Sequence, residues 1–527
     1  MSKLIPGARV CGAIALSLLV SRAAPAKEIP GATLRPLGEK IVNGLGTHLD
    51  PSVGMLVIND GSLCSGVLVG CQTFLTAAHC VCTLNGVAAF DGAQCNARPD
   101  LLDPGRFLLF FQHAGTFRVA SVAVNPSYIP ATASDLALLR LSAPIEGIAP
   151  TPINTVAKPP FGTAGTIVGF GSTQADLEDG GIKRAGTVTT SSCSGPGNAF
   201  EICWTFSPPA GQPGTSSNTC RGDSGGPLLV STASGQVVVA GVASFVNSCL
   251  PPATAVDADV FRDRAWIEAQ AGSDLTSTAC GSLPQAGGPG TSIVSGDSTL
   301  SATAPQAGFD FEVPAGTTRL RVSLNGEPGN LAYLYAKAGG PAGPASFDCK
   351  SEVSAAPGGF PLEFYEVQSP APGSWNVLAR RVGGPGGRFQ TTVTLFSSPA
   401  GSACIADAST LCIDDRPGDR RFKVQVSYQT TQGGGRSGTG TAIPLSSLGV
   451  DRGGLFWFFS PDNPEMLVKV INACSANGKF WVFYSAGTNV GLTTTVTDTV
   501  TGQVKTYSNP DLTPAAPVQD TGALPCR

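Results

Sequence analysis

Three short stretches of this chain carry residue types suited to nucleophilic chemistry. Gly222-Asp223-Ser224-Gly225-Gly226-Pro227 sets a hydroxyl between an acid and two glycines, directly after Cys220-Arg221. Glycine takes positive φ without a Cβ clash, so such a turn can present the hydroxyl and aim backbone N–H groups at one point. The amides of Gly222 and Ser224 are the candidates for binding a developing oxyanion. A serine hydroxyl is a poor nucleophile until a base takes its proton. Thr76-Ala77-Ala78-His79-Cys80 offers an imidazole for that work, with Cys64 upstream. The chain has three histidines. The setting of His79 is specific, whereas His48 and His113 read as structural or solvated. Ser134-Asp135-Leu136-Ala137-Leu138-Leu139-Arg140-Leu141 opens an apolar strand with one acid. A carboxylate there can hold an imidazole tautomer and stabilise the imidazolium. Taken singly, a glycine-rich turn and a strand-start acid are the plainer readings of Ser224 and Asp135.

The elements that must position these residues are short strands. Met55–Ile58, Gly66–Val69, Phe107–Phe111 and Val119–Val124 are apolar runs bounded by turn residues. Asp60-Gly61 signals a hairpin. Glycine (66) and proline (42) make about a fifth of the 527 residues, which favours turns and short strands over long helices. The length predicts two to four domains. Charged residues are 13% of the chain and the formal net charge is −4, so there is no basic footprint for nucleic acid. Sixteen cysteines point to an oxidising compartment.

Together the three stretches resemble the chymotrypsin-like (trypsin family) serine peptidases, whose chain order is His, Asp, Ser. The resemblance runs from about Ile41 to Trp266 and implies an all-β fold, a double six-stranded β-barrel with the site in the cleft between the barrels. It implies His79 as general base and then acid, Asp135 as its orienter, Ser224 as nucleophile, and the Gly222 and Ser224 amides as the oxyanion hole. Ile41-Val42-Asn43-Gly44 matches the start of the mature enzyme in that family, so a cut after Lys40 would free an ammonium at Ile41 to pair with Asp223. Gly169-Phe170-Gly171 stands where the family has Gly-Trp-Gly, and Asp263–Ala269 reads as its closing helix with Trp266 in the core. Family bridges imply Cys64–Cys80, Cys193–Cys203 and Cys220–Cys249. Cys82–Cys95 is a further expected bridge, and Cys71 is left unassigned. Asn218 falls at the base of the primary pocket, with Val246 and Ala255 on its walls and Ser244-Phe245-Val246 as the edge that pairs with substrate. An uncharged Asn218 and a narrowing Val246 predict small or medium apolar P1 residues. Such a pocket cuts poorly after Lys40, so activation calls for a separate trypsin-like protease.

Lys3 and Arg9, an apolar run at 11–20 and Ala24-Pro25-Ala26 read as a signal peptide over 1–26. Residues 27–40 follow as a propeptide, and 41–271 as the peptidase domain. Residues 272–292, rich in Gly, Ser, Thr and Pro, read as a linker, in which Cys280 is placed to anchor to a neighbouring domain. Residues 293–398 alternate apolar and polar positions and resemble the bacterial pre-peptidase C-terminal domain, a β-sandwich. Residues 399–527 resemble a β-rich C-terminal module of secreted bacterial proteins, with dense aromatics at 455–459 and 479–484 read mostly as core and bridges expected at Cys404–Cys412 and Cys474–Cys526. The expectation is therefore two β-sandwich-like accessory domains behind the barrels. No cofactor, metal or nucleic acid is called for, and no run is apolar and long enough for a membrane span. The protein reads as a monomer secreted by a bacterium, extracellular or periplasmic, acting on protein or peptide substrates. The other function class is a binding or adhesion protein carrying an inactive peptidase fold.

Overall fold

The computed structural model describes residues 41–526 apart from short stretches at 85–86, 89, 194–199, 315–316, 354–355, 398–403 and 416–419. The expected signal peptide, propeptide and Lys40 lie outside the described residues. The described residues divide into two compact units, one ending at Phe396 and one beginning at Ser397.

The first unit opens with a closed barrel. Its strands are β1 (Val53–Ile58), β2 (Leu63–Leu68), β3 (Thr73–Thr76), β4 (Phe107–Phe111), β5 (Gly115–Val124) and β6 (Ala137–Leu141), in the order β1-β2-β3-β6-β5-β4. The Asp60-Gly61 hairpin joins β1 to β2, with Gly61 at φ 92°. A second barrel is built from β7 (Ala164–Gly169), β8 (Arg184–Ser191), β9 (Glu201–Phe206), β10 (Pro227–Ser231), β11 (Val237–Val246) and β12 (Ala253–Asp259). Its order is β8-β7-β10-β11-β12-β9, and a β8–β9 pairing closes the ring. The two closed six-stranded barrels match the expected chymotrypsin-like fold. A helix, Val260–Ala271, follows, started by the Asp259 side chain, which accepts from Phe261 N. Its Trp266 is half-buried and packs on the core of the first barrel.

The expected linker is built against the barrels. Asp274 accepts hydrogen bonds from the backbone of Cys71 (3.1 Å) and Gln72 (2.9 Å) and from Thr73 Oγ1 (2.7 Å), and Cys280 is bonded to Cys71. A sandwich of two four-stranded sheets follows: β13 (Thr291–Leu300), β14 (Gln306–Val313), β15 (Thr317–Gly326), β16 (Leu331–Ala338), β17 (Cys349–Ser351), β18 (Glu363–Gln368), β19 (Gly373–Gly383) and β20 (Gly387–Ser397). The sheets run β13-β20-β15-β18 and β14-β19-β16-β17, around a core that includes Leu320, Val322, Tyr365, Trp375 and Phe389. The remaining two histidines lie where this sandwich meets the barrels. His48 contacts Asp297 (3.0 Å) and Thr392 (2.8 Å), while buried His113 contacts Thr394 (2.8 Å) and His48 O (2.8 Å).

The second unit holds two five-stranded sheets over its own core. One sheet contains Phe422–Thr430 and Gly491–Asp498, the other Met466–Ala473 and Lys479–Ala486. Strand alternation divides the aromatics: Phe456, Phe458, Phe480 and Tyr484 point into the core, whereas Trp457, Trp481 and Phe483 are half-buried. Cys404–Cys412 and Cys474–Cys526 are bonded here.

Candidate active site

His79 lies on a single helical turn, Ala78–Cys80, directly after β3. The Cys64–Cys80 disulfide ties this turn to β2. Asp135 enters β6 after Ser134, which holds φ 53° and whose hydroxyl donates to Asp263 (3.1 Å) and accepts from Arg262 (2.8 Å). The Asp135 carboxylate collects three donors. His79 N–H reaches Oδ1 at 2.8 Å, while His79 Nδ1 (2.7 Å) and Ser244 Oγ (2.6 Å) reach Oδ2. Ser244 belongs to β11, so this carboxylate joins the two barrels. Burial raises the Asp135 pKa, but the His79 charge and the hydrogen bonds from His79 and Ser244 outweigh it and the net shift is downward. For His79, burial lowers the pKa, the Asp135 charge and hydrogen bond raise it more, and the net shift is upward.

Ser224 sits on a turn that no larger residue could replace at its glycines. Gly222 has φ 92° and Gly225 φ 85°, and a Cβ at Gly225 would lie 2.1 Å from Thr76 Oγ1. The turn is held against the first barrel by Ser65, whose N–H donates to Ser224 O (2.8 Å) and whose hydroxyl donates to Gly222 O (2.9 Å). Cys80 Sγ lies 3.7 Å from Ser224 O and 3.9 Å from His79 Nε2, which puts both in one neighbourhood. Among the described residues no hydrogen bond joins the Ser224 hydroxyl to His79. Catalytic hydrogen bonds often close only when substrate is bound.

Asp223 points away from the cleft into the second barrel. Its oxygens accept from Gly171 N (2.8 Å) and Cys220 N (2.9 Å), and burial pushes its carboxyl up to about 6. Ile41 is buried in the core of the same barrel beside Ile167 and Trp204. Val42 and Asn218 exchange backbone hydrogen bonds, each 3.0 Å. Val42 thus lies beside Asn218 and packs with Cys220, in the stretch that leads into the Asp223 turn.

Asn218 is wholly buried; its Nδ2 donates to Ser248 O (3.0 Å) and Cys249 O (3.3 Å), and its Oδ1 has no partner among the described residues. Val246 pairs across the ladder with Ala255. The Cys193–Cys203, Cys220–Cys249 and Cys82–Cys95 bonds are formed. A groove of about 730 Å³ is lined by Tyr128, Ile129, Thr132, Phe200 and Phe245, the residue after Ser244, with Arg262 over the Phe200 ring.

Two residues escaped the sequence reading. Ser244 was assigned to the substrate edge alone, and its bond to Asp135 crosses 109 positions with no local pattern to reveal it. Asp257 lies on β12 opposite Ala243 and Ile202, wholly buried, with both carboxylate oxygens unpartnered among the described residues, and burial pushes its pKa well up. A single acid in an alternating strand gives no sign of this.

The trypsin family model matches residues 46–267. A protein named trypsin from Saccharopolyspora erythraea is 29% identical over 209 residues, covering 38% of this chain and 84% of that protein. Human serine protease 56 is 30% identical over 240 residues, covering 42% of this chain and 36% of that protein. Its mouse counterpart is 28% identical, with 37% of its length covered. The chain spans little more than a third of the length of these last two relatives.

Proposed function

We propose, from the premise that residues 46–267 are a trypsin-family peptidase domain, that the protein is a secreted serine endopeptidase made as a zymogen. Ser224 attacks the scissile carbonyl and an acyl-enzyme forms. His79 takes the hydroxyl proton and returns it to the leaving amine. Asp135 fixes the tautomer that leaves Nε2 free and stabilises the imidazolium. The Gly222 and Ser224 amides hold the oxyanion. The observation that carries this reading is the Asp135 carboxylate, which binds both the backbone and the ring of His79 while a second-barrel serine bonds to it. Cleavage after Lys40 frees the Ile41 ammonium to pair with Asp223, a charge pair that exists only after a covalent cut. Seven disulfides among the described residues suit an extracellular or periplasmic protein. No described helix is long and apolar enough to cross a membrane. The uncharged Asn218 and the Val246 wall favour Ala, Val or Leu at P1, and a separate trypsin-like protease makes the Lys40 cut.

The test uses protein cut after Lys40 by a trypsin-like protease that is then inhibited and removed. Fluorophosphonate labelling and cleavage of a P1-varied peptide panel are compared with Ser224→Ala. Labelling and cleavage after Ala or Val, with peptide turnover in Ser224→Ala reduced on the order of 10⁶-fold, is the expected result. Cleavage after Lys or Arg would keep the mechanism and remove the pocket assignment. An unlabelled, folded and correctly cut protein would leave the binding-protein reading in its place.

A further inference from the structure

The catalytic reading leaves unused a buried polar seam between the second barrel and the middle sandwich. On the sandwich side, Asn325 of β15 and Gln390 of β20 are wholly buried. Asn325 Nδ2 donates to Gly181 O (2.8 Å) and to Gln390 Oε1 (2.9 Å). The same Gln390 oxygen accepts from Lys183 N (2.7 Å), and Gln390 Nε2 donates to Lys183 O (3.2 Å). Beside them Arg388 bonds Glu327 (2.7 Å) within the sandwich and Asp179 (3.2 Å) across the seam. A Cβ on Gly181 would lie 2.3 Å from Gly326 O, so backbone meets backbone here.

The peptidase groups gripped in this way all belong to residues 171–184, the connection from β7 into β8. Residues 174–178 of it are exposed, so the connection is fixed at its ends. The end held by the sandwich leads to the catalytic turn through an unbroken chain of hydrogen bonds. Asp179 accepts from Thr173 N (3.0 Å) and Thr173 Oγ1 (2.8 Å). Buried Arg184 donates to Asp179 O (3.0 Å) and Gly171 O (2.6 Å). The other face of the Gly171 residue donates its N–H to Asp223 (2.8 Å), and Ser172 N–H donates to Arg221 O (2.7 Å). Asp223 and Arg221 flank Gly222, whose amide is one of the two oxyanion donors proposed above.

We infer that the middle sandwich is a positioning element for catalysis, holding residues 171–184 so that the Gly171 and Ser172 amides fix the Asp223–Ser224 turn. This rests on the reading of Ser224 and the Gly222 amide given above. An exposed connection with free ends carries a conformational entropy that must be overcome each time the turn is formed. The sandwich removes that cost in advance, and it does so without touching substrate. Its effect therefore belongs in kcat and not in KM, because the oxyanion donors act on charge that develops only in the transition state.

The experiment uses the full chain cut after Lys40, as wild type, Arg388→Ala, Arg388→Lys and Asn325→Ala. It reads kcat and KM on one peptide substrate, the rate of fluorophosphonate labelling, and hydrogen exchange at the Gly171 and Ser172 amides. Arg388→Ala and Asn325→Ala are expected to lower kcat and the labelling rate at least tenfold, with KM within twofold and faster exchange at both amides. Arg388→Lys is expected to recover most of the loss, because the charge opposite Asp179 and Glu327 is kept. Faster exchange with kcat within twofold of wild type would overturn the inference. So would a loss of kcat with unchanged exchange. If Asn325→Ala does not fold, the arginine pair decides alone. Exchange is also measured in Ser224→Ala and Ser224→Ala/Arg388→Ala. There, unaltered Gly171 protection on loss of Arg388 sinks the positioning role even if the wild type proves to hydrolyse nothing.

Discussion

Asp135 serves two masters at atomic distance, the imidazole of the first barrel and the Ser244 hydroxyl of the second. Its charge holds the His79 pKa above the ordinary 6.5. A general base works only when neutral, so the acid limb of the kcat/KM profile of the cut enzyme is expected above pH 6.5. Asp135→Asn keeps the volume but removes the charge and the acceptor, and kcat should fall on the order of 10⁴-fold with the limb displaced downward. A limb at or below 6.5 in the wild type would separate His79 from the Asp135 field. Asp257 poses the opposite case, a carboxyl with no partner for either oxygen among the described residues. Its folded pKa is raised, so the stability it permits is complete below the unfolded value of about 3.9 and is lost as pH climbs toward the folded value. Asp257→Asn cannot ionise, and its melting temperature relative to wild type should rise steadily from about pH 4 upward. A difference that stays flat from pH 4 to 8 would mean the carboxyl has a partner in solution.

At the scale of the element, the Asp223 turn and the segment after Lys40 form one assembly. In the uncut chain burial holds the Asp223 carboxyl at about 6, so the uncut protein loses stability as pH rises from about 4 to 6. A new ammonium beside it would pull that pKa down and remove the loss. Cutting after Lys40 should therefore raise stability by an amount that grows across pH 4–6 and is constant above. Two units at roughly 1.4 kcal/mol each make the plateau about 3 kcal/mol. Urea unfolding of cut and uncut protein at pH 4 and pH 7 checks it, and equal pH dependence would break the link between Ile41 and Asp223. The turn and its neighbours were readable because each is a short local string whose glycines have a steric reason. The β7-to-β8 connection was not. Its exposed centre is unpatterned, and the sandwich groups that fix its second end lie more than 140 positions away. Strand β5 shows the same limit on a small scale. Its first residues, Gly115–Arg118, include exposed Thr116 and Arg118, so only the apolar run from Val119 was legible.

For the whole molecule, composition marks where the chain changes character but not what each stretch packs against. Residues 272–292 look like a linker because they are small and polar. Asp274 and Cys280 nevertheless fasten them to the β2–β3 corner. Barrels and sandwich fall within one unit, and only residues after 396 form a second. The interface is part polar, through Asn325, Gln390, His48 and Arg321, which donates to His113 O (3.1 Å) and Glu146 O (2.7 Å), and part apolar, where Phe360 and Leu362 of the sandwich join the barrel core. Amphipathic alternation tells a strand which face to bury but not against which sheet.

The Cys71–Cys280 bond spans 209 positions, and that span is also an interval of time. At about 5–20 residues per second on the ribosome, Cys71 emerges roughly 10–40 s before its partner. Cys64 and Cys82 have partners only 16 and 13 positions on, so in an oxidising compartment the tie from the first barrel to the segment that leads into the sandwich is the last of that barrel's bridges to have both thiols in place.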